Sequence, residues 1–146
     1  MSSKTLREHR LASGRDVDAC VKAVRDAGIV PTVEGARREP GEVVVGVFDG
    51  APTDRRALDA SAEACVFRLA GVVLAAVADA PAVRIEFLAR WRDKFGTVTK
   101  RPYRTALLSR AHHAKIVPER LTAEELLALF EWSEPRPDGE VLWWKD

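Results

Sequence analysis

The sequence predicts a single α+β domain, with helices packed on a three- to four-stranded mixed or antiparallel sheet and one long central helix. Three observations lead there. The apolar spacing alternates along the chain between the helical period and the period of two that marks strands. The 146 residues are 47% hydrophobic and sum to a formal charge of +1, which excludes disorder as a description of the whole chain. No repeat, low-complexity tract or linker divides the chain. At this length a chain buries about two thirds of its unfolded surface, enough to fold without a disulfide or a structural metal. Residues 1–13 are charged and open without a cap, so they are expected as a flexible N-terminal arm ahead of one domain over 14–146.

A first helix is expected from Asp16 to Ala27, because Val17, Cys20, Val21, Val24 and Ala27 share one face and Gly28 suits a helix C-terminus. Pro31, Gly35, Pro40 and Gly41 then punctuate an expected loop that carries Arg37 and Arg38. Glu42 to Phe48 is a β-branched run, apolar on both faces, as an inner strand covered on both sides is. Asp49-Gly50 turns the chain, and Thr53 is the expected N-cap of a helix from Asp54 to about Asp79, which Pro81 closes. Such a helix is about 39 Å long. From Leu69 it is apolar on nearly every side, so it requires cover beyond the sheet, either from another helix or from a second subunit.

Val83, Ile85, Phe87, Ala89 and Trp91 alternate with Arg84, Glu86, Leu88, Arg90 and Arg92, as a strand with one wet face does. Lys94 to Thr97 supplies a turn, and Val98 to about Ser109 returns as its partner, with Pro102 marking an edge or a bulge. Thr122 and Glu125 form a capping box for a last helix from about Ala123 to Trp132. Pro137-Asp138-Gly139 then turns into a short apolar end, Val141 to Trp144, a candidate final strand. Phe130, Trp132, Trp143 and Trp144 are expected to pack on the sheet, since exposed they would form an outsized apolar patch.

The balanced charge is unevenly placed. Residues 1–83 hold 11 basic and 12 acidic side chains, residues 84–115 nine and two, and residues 116–146 three and eight. Arg84, Arg90 and Arg92 share one strand face and make a stripe. Such a ribbon can neutralise phosphates, and a nearby aromatic can stack on bases. The expected function is therefore non-enzymatic binding of nucleic acid, such as DNA, through the basic hairpin, with largely sequence-independent contacts. Arg84, Arg90, Arg92, Lys100, Arg101 and Arg104 would contact phosphates, and Tyr103 would be the stacking platform. The bland alternative is a charged wet face that the acidic C-terminal segment folds back to neutralise. The rival function is a protein-interaction module that homo-oligomerises through residues 69–78, its basic hairpin pairing with acidic surface.

Other chemistry finds less support. No G-x-S-x-G elbow, P-loop or G-x-G-x-x-G occurs, so no catalytic residue or cofactor is expected. The acidic-x-Lys pattern of metal-dependent nucleases is missing, since Phe87-Leu88 follow Glu86. A small anionic substrate held by the same arginines lacks an evident acid or base. Cys20 and Cys65 lie far apart and read as small core residues, and His112-His113 lack a second ligand pair, so no metal is expected. The run Leu69–Ala78 is too short for a bilayer span of roughly 20 residues. Without an apolar leader, the cytoplasm is the expected location.

Overall fold

A computed structural model describes residues 17–52, 54–135 and 140–141. The N-terminal arm, the Pro137 turn and the paired tryptophans lie outside them. Helix α1 covers residues 17–27 and buries Cys20 and Val24. It ends where Gly28 adopts φ +64, a left-handed conformation that glycine enters without steric cost.

The segment expected as a loop is instead strand β1, Thr32–Glu39, antiparallel to β2, Glu42–Phe48. Gly35 misled because it sits at a register shift within the strand and does not end it. Pro40 and Gly41 are the hairpin turn itself, Gly41 supplying φ +79 as the third residue of a type II turn requires. Thr53 lies outside the described residues, and Asp54 is the N-cap of α2, Arg55–Ala76, accepting the Ala57 N–H at 2.8 Å. This helix is 22 residues and about 33 Å long, one turn shorter than the sequence implies.

β3 (Ala82–Arg92) and β4 (Val98–Ser109) form the expected hairpin. A register shift lies between Phe87 and Leu88, which pair with Arg104 and Pro102 and leave Tyr103 as the extra residue. The bulge that Pro102 announced therefore falls one residue after it. α3 (Arg110–His113) and a single 3₁₀ turn (Pro118–Arg120) follow. α4 keeps its capping box but spans only Ala123–Leu127, and Glu131–Ser133 is β5 on the edge of β4. Phe130 and Trp132 fit the strand period of two, and Trp132 donates its indole N–H to the carbonyl of Leu127 at 2.9 Å, closing the helix. β6, Glu140–Val141, pairs with the end of β3.

The sheet is thus larger than expected: five strands in chain order β1 to β5, with β6 joined to β3 off that path. All pairings are antiparallel except β2 with β3, which α2 connects in parallel. α2 packs on one face, where its Leu58, Val66, Leu69 and Val73 meet Val43, Val45, Val83, Ile85 and Leu108. Leu69, Val73, Leu74 and Val77 are buried within the chain, and of residues 69–78 only Ala75 and Ala78 are exposed. The cover that stretch requires is supplied largely in cis. No described helix is long and apolar enough to cross a membrane.

Candidate nucleic-acid interface

The second face of the sheet presents Val44, Gly46 and Phe48 from β2, and Arg84, Glu86, Leu88 and Arg90 from β3. Val44 and Phe48 are buried although they lie outside the main core. Long charged side chains cover them: the Arg90 guanidinium lies 5.3 Å from the centre of the Phe48 ring and the Lys100 ammonium 4.4 Å. Both distances are within the range of cation–π attraction.

The seven residues singled out in the sequence fall into two groups. Arg90, Arg92, Lys100 and Arg101 occupy the distal half of the hairpin and are exposed. There Arg90 stands directly opposite Lys100, and Ala89 opposite Arg101. Arg84, Tyr103 and Arg104 are engaged elsewhere. Arg84 donates to both oxygens of Glu42, at 2.8 and 3.2 Å, and these bonds raise its pKa. Tyr103 is buried and donates its hydroxyl to the carbonyl of Leu58 at 3.2 Å, so its ring is no surface for a base. Arg104 faces α2, 3.1 Å from Glu63 and 3.6 Å from Asp59, and lies 3.8 Å from the centre of the Trp132 ring. The bulge at Tyr103 turns these two consecutive side chains to the same side.

The acids that answer the basic hairpin come from an unexpected part of the chain. Glu42 pairs with Arg84, Glu34 with Lys100 at 2.6 Å, and Asp59 and Glu63 with Arg104. All four lie in the first 63 residues. Of the acidic C-terminal region, Glu134 bonds Arg55 on α2, outside the hairpin. The base of the hairpin is thus paired with acids of the same chain, and in its distal half Lys100 is paired with Glu34 while Arg92 stands opposite Glu140 of β6. Residues 90–101 hold five basic side chains and one acid, Asp93, whose Oδ1 accepts the N–H groups of Phe95 and Thr97 in the turn. Phe95, at that turn, is 82% exposed.

Sequence reasoning missed Phe48 and Glu34. Phe48 was hidden by a strand apolar on both faces, and Glu34 by the assignment of its segment to a loop. Position counting on β2 would have found Phe48, since it shares parity with Gly46 and Val44.

Among the described residues the cysteines and histidines form no second cluster. Burial pushes both thiols, Cys20 and Cys65, up to about 11, which opposes formation of a thiolate nucleophile. Asp49 accepts the Ser61 hydroxyl at 2.9 Å beside a cavity of about 20 Å³, too small for more than a water. His113 stacks on Phe67, and among the described residues no three His, Cys, Asp or Glu side chains gather as metal ligands. No family model matches the chain, and no curated protein or solved structure matches it either.

Proposed function

We propose that this chain is a nucleic-acid-binding domain that holds the phosphate backbone with the distal half of the β3–β4 hairpin. Arg90, Arg92 and Lys100 are the phosphate contacts on the open face, and Arg101, which shares the other face with Ala89, is a fourth contact where a nucleic-acid strand passes the β4 edge. Lys100 also pairs with an acid, Glu34, but keeps 40% of its side chain exposed, whereas Arg84 and Arg104 keep 29% and 15%; those two, and Tyr103, in the core, are withdrawn from the set first expected.

One observation carries the reading: Arg90 and Lys100 are directly opposite each other on neighbouring strands. Like charges in that position destabilise a hairpin by a few tenths of a kcal/mol up to about 1 kcal/mol. Glu34 answers only Lys100 among the described residues, while Arg90 rests on an aromatic ring. An anion threading between the two cations would offset the repulsion, and phosphate esters repeat at a spacing that can meet several such cations in turn.

The test is fluorescence anisotropy of labelled single-stranded and duplex oligonucleotides over a range of salt. Four phosphate contacts predict a slope of log Kobs against log[salt] of about −2.8 on a single strand. The double variant Arg90→Glu, Arg101→Glu should lower affinity at least tenfold and flatten that slope by about 1.4. Unchanged affinity in a double variant with native circular dichroism overturns the proposal.

A further inference from the structure

Beside the Arg90–Lys100 pair the open sheet face has a trough of about 390 Å³, lined by Glu34, Gly35, Arg37, Gly46, Glu86 and Leu88, among others. Its floor exists because Gly35 and Gly46 are partners in the β1–β2 register, so two neighbouring strands lack a side chain at the same place. Gly46 is the informative one. Its backbone does not have a positive φ, and an added Cβ would meet only ordinary contacts, the nearest being Leu88 Cδ1 at 3.5 Å. Nothing local therefore demands glycine in the second strand of this sheet, where a β-branched residue would pair better. What glycine preserves there is the hollow.

The walls of the trough are polar and already oriented. Arg37 Nη1 donates to Glu86 Oε1 at 2.7 Å and Lys100 Nζ to Glu34 Oε1 at 2.6 Å. Both bonds end on Oε1, so the second oxygen of each carboxylate retains acceptor capacity. Lys100 also links the trough to the proposed phosphate track, since it touches both Glu34 and Phe48. A flat group can lie on bare peptide where two glycines meet. Carboxylate rims favour one that carries N–H donors, as Glu and Asp do when they accept from an exocyclic base amine.

We propose that the trough receives one unstacked base of a single-stranded nucleic acid and prefers a base with an exocyclic amine over thymine or uracil. This rests on the phosphate-binding role of the hairpin and adds a degree of sequence preference to it. Single strands are implicated because a base inside a duplex cannot leave its stack without a cost of a few kcal/mol.

The experiment compares labelled oligo(dC) and oligo(dT) of equal length, near neutral pH, on the full chain and on Gly46→Val. The wild type should bind oligo(dC) about tenfold more tightly. Gly46→Val should bring oligo(dC) down to the oligo(dT) level and leave oligo(dT) unchanged, while its thermal midpoint stays level or rises. Glu86→Gln, which keeps the shape and removes the charge, should narrow the preference without filling the hollow. Equal binding of the two oligomers by wild type, or a preference that survives Gly46→Val, overturns the trough and leaves the phosphate track standing. Binding of neither oligomer, nor of duplex, overturns both.

Discussion

Tyr103 and Arg104 show how much one inserted residue decides. Counting by twos along β4 puts Lys100 and Arg104 on one face and Arg101 and Tyr103 on the other, so that Arg104 would stand on the open face beside Lys100. The bulge resets the parity, sending Tyr103 and Arg104 to α2 while Lys100 stays on the open face. Pro102 signalled the bulge, but no local signal says how a strand resumes after one. The cysteines were legible, since isolated small apolar residues at helical spacing are usually buried. Their burial has a measurable effect. Each thiol's pKa is raised from 9.0 to about 11 in the fold. The stabilisation from keeping them protonated is therefore complete below pH 9 and is lost as pH rises through 11. Two pH units per thiol correspond to at most about 2–3 kcal/mol each. Urea midpoints should hold steady from neutrality to pH 9 and then fall, and Cys20→Ala should make that fall shallower. A Cys20→Ala protein with an unaltered alkaline profile would count against this linkage.

At the scale of elements, amphipathic periods placed α1, β2, β3 and β4 to within a residue or so. Failures came where two signals competed. Gly35, Pro40 and Gly41 read as loop punctuation, yet the segment Thr32–Glu39 pairs along its length. The capping box fixed the start of α4, but nothing nearby fixed its end, which β4 sets by pairing with residues 131–133. The C-terminus of α2 is another long-range effect. Its last turn carries no basic residue. Arg110, the first residue of α3, donates Nε to the carbonyl of Ala80 at 2.8 Å and Nη2 to those of Leu74, at 2.8 Å, and Val77. The guanidinium thus satisfies carbonyls that a helix end leaves open and places a positive charge at the negative pole of the helix. Arg110→Ala should cost about 1.5–3 kcal/mol in urea unfolding. Arg110→Lys should recover little of it, because an ammonium lacks the fork that spans separate acceptors. Full recovery by lysine would mean that charge alone matters there.

At the scale of the whole molecule, the segment charges were legible and their partners were not. A run of nine bases followed by eight acids along the chain invites pairing between the two. The described ion pairs of the hairpin instead reach back to residues 34–63, because sheet order sets neighbours: β1 and β2 lie beside β3, whatever follows it in sequence. The topology also divides the sheet. β1–β2 and β3–β4 are each closed by a short turn, and the parallel pairing of residues 43–48 with 83–88 is the seam between them, joined only through α2. Contacts so distant in sequence pay their loop-closure entropy before they gain anything. Both halves of the proposed surface straddle that seam: Phe48, Gly46 and Glu34 come from one side, and Arg90, Lys100 and Leu88 from the other. A ligand bound on the proposed surface would therefore act as a clasp across a joint of the sheet whose strands are distant in sequence, stabilising by mass action the pairing on which its own site depends. Saturating oligonucleotide should slow amide hydrogen exchange in residues 43–48 and 83–88 more than in the turn at Pro40 and Gly41. Uniform slowing would show the whole sheet opening as one unit, and no slowing would show that nothing bound across the seam holds it closed.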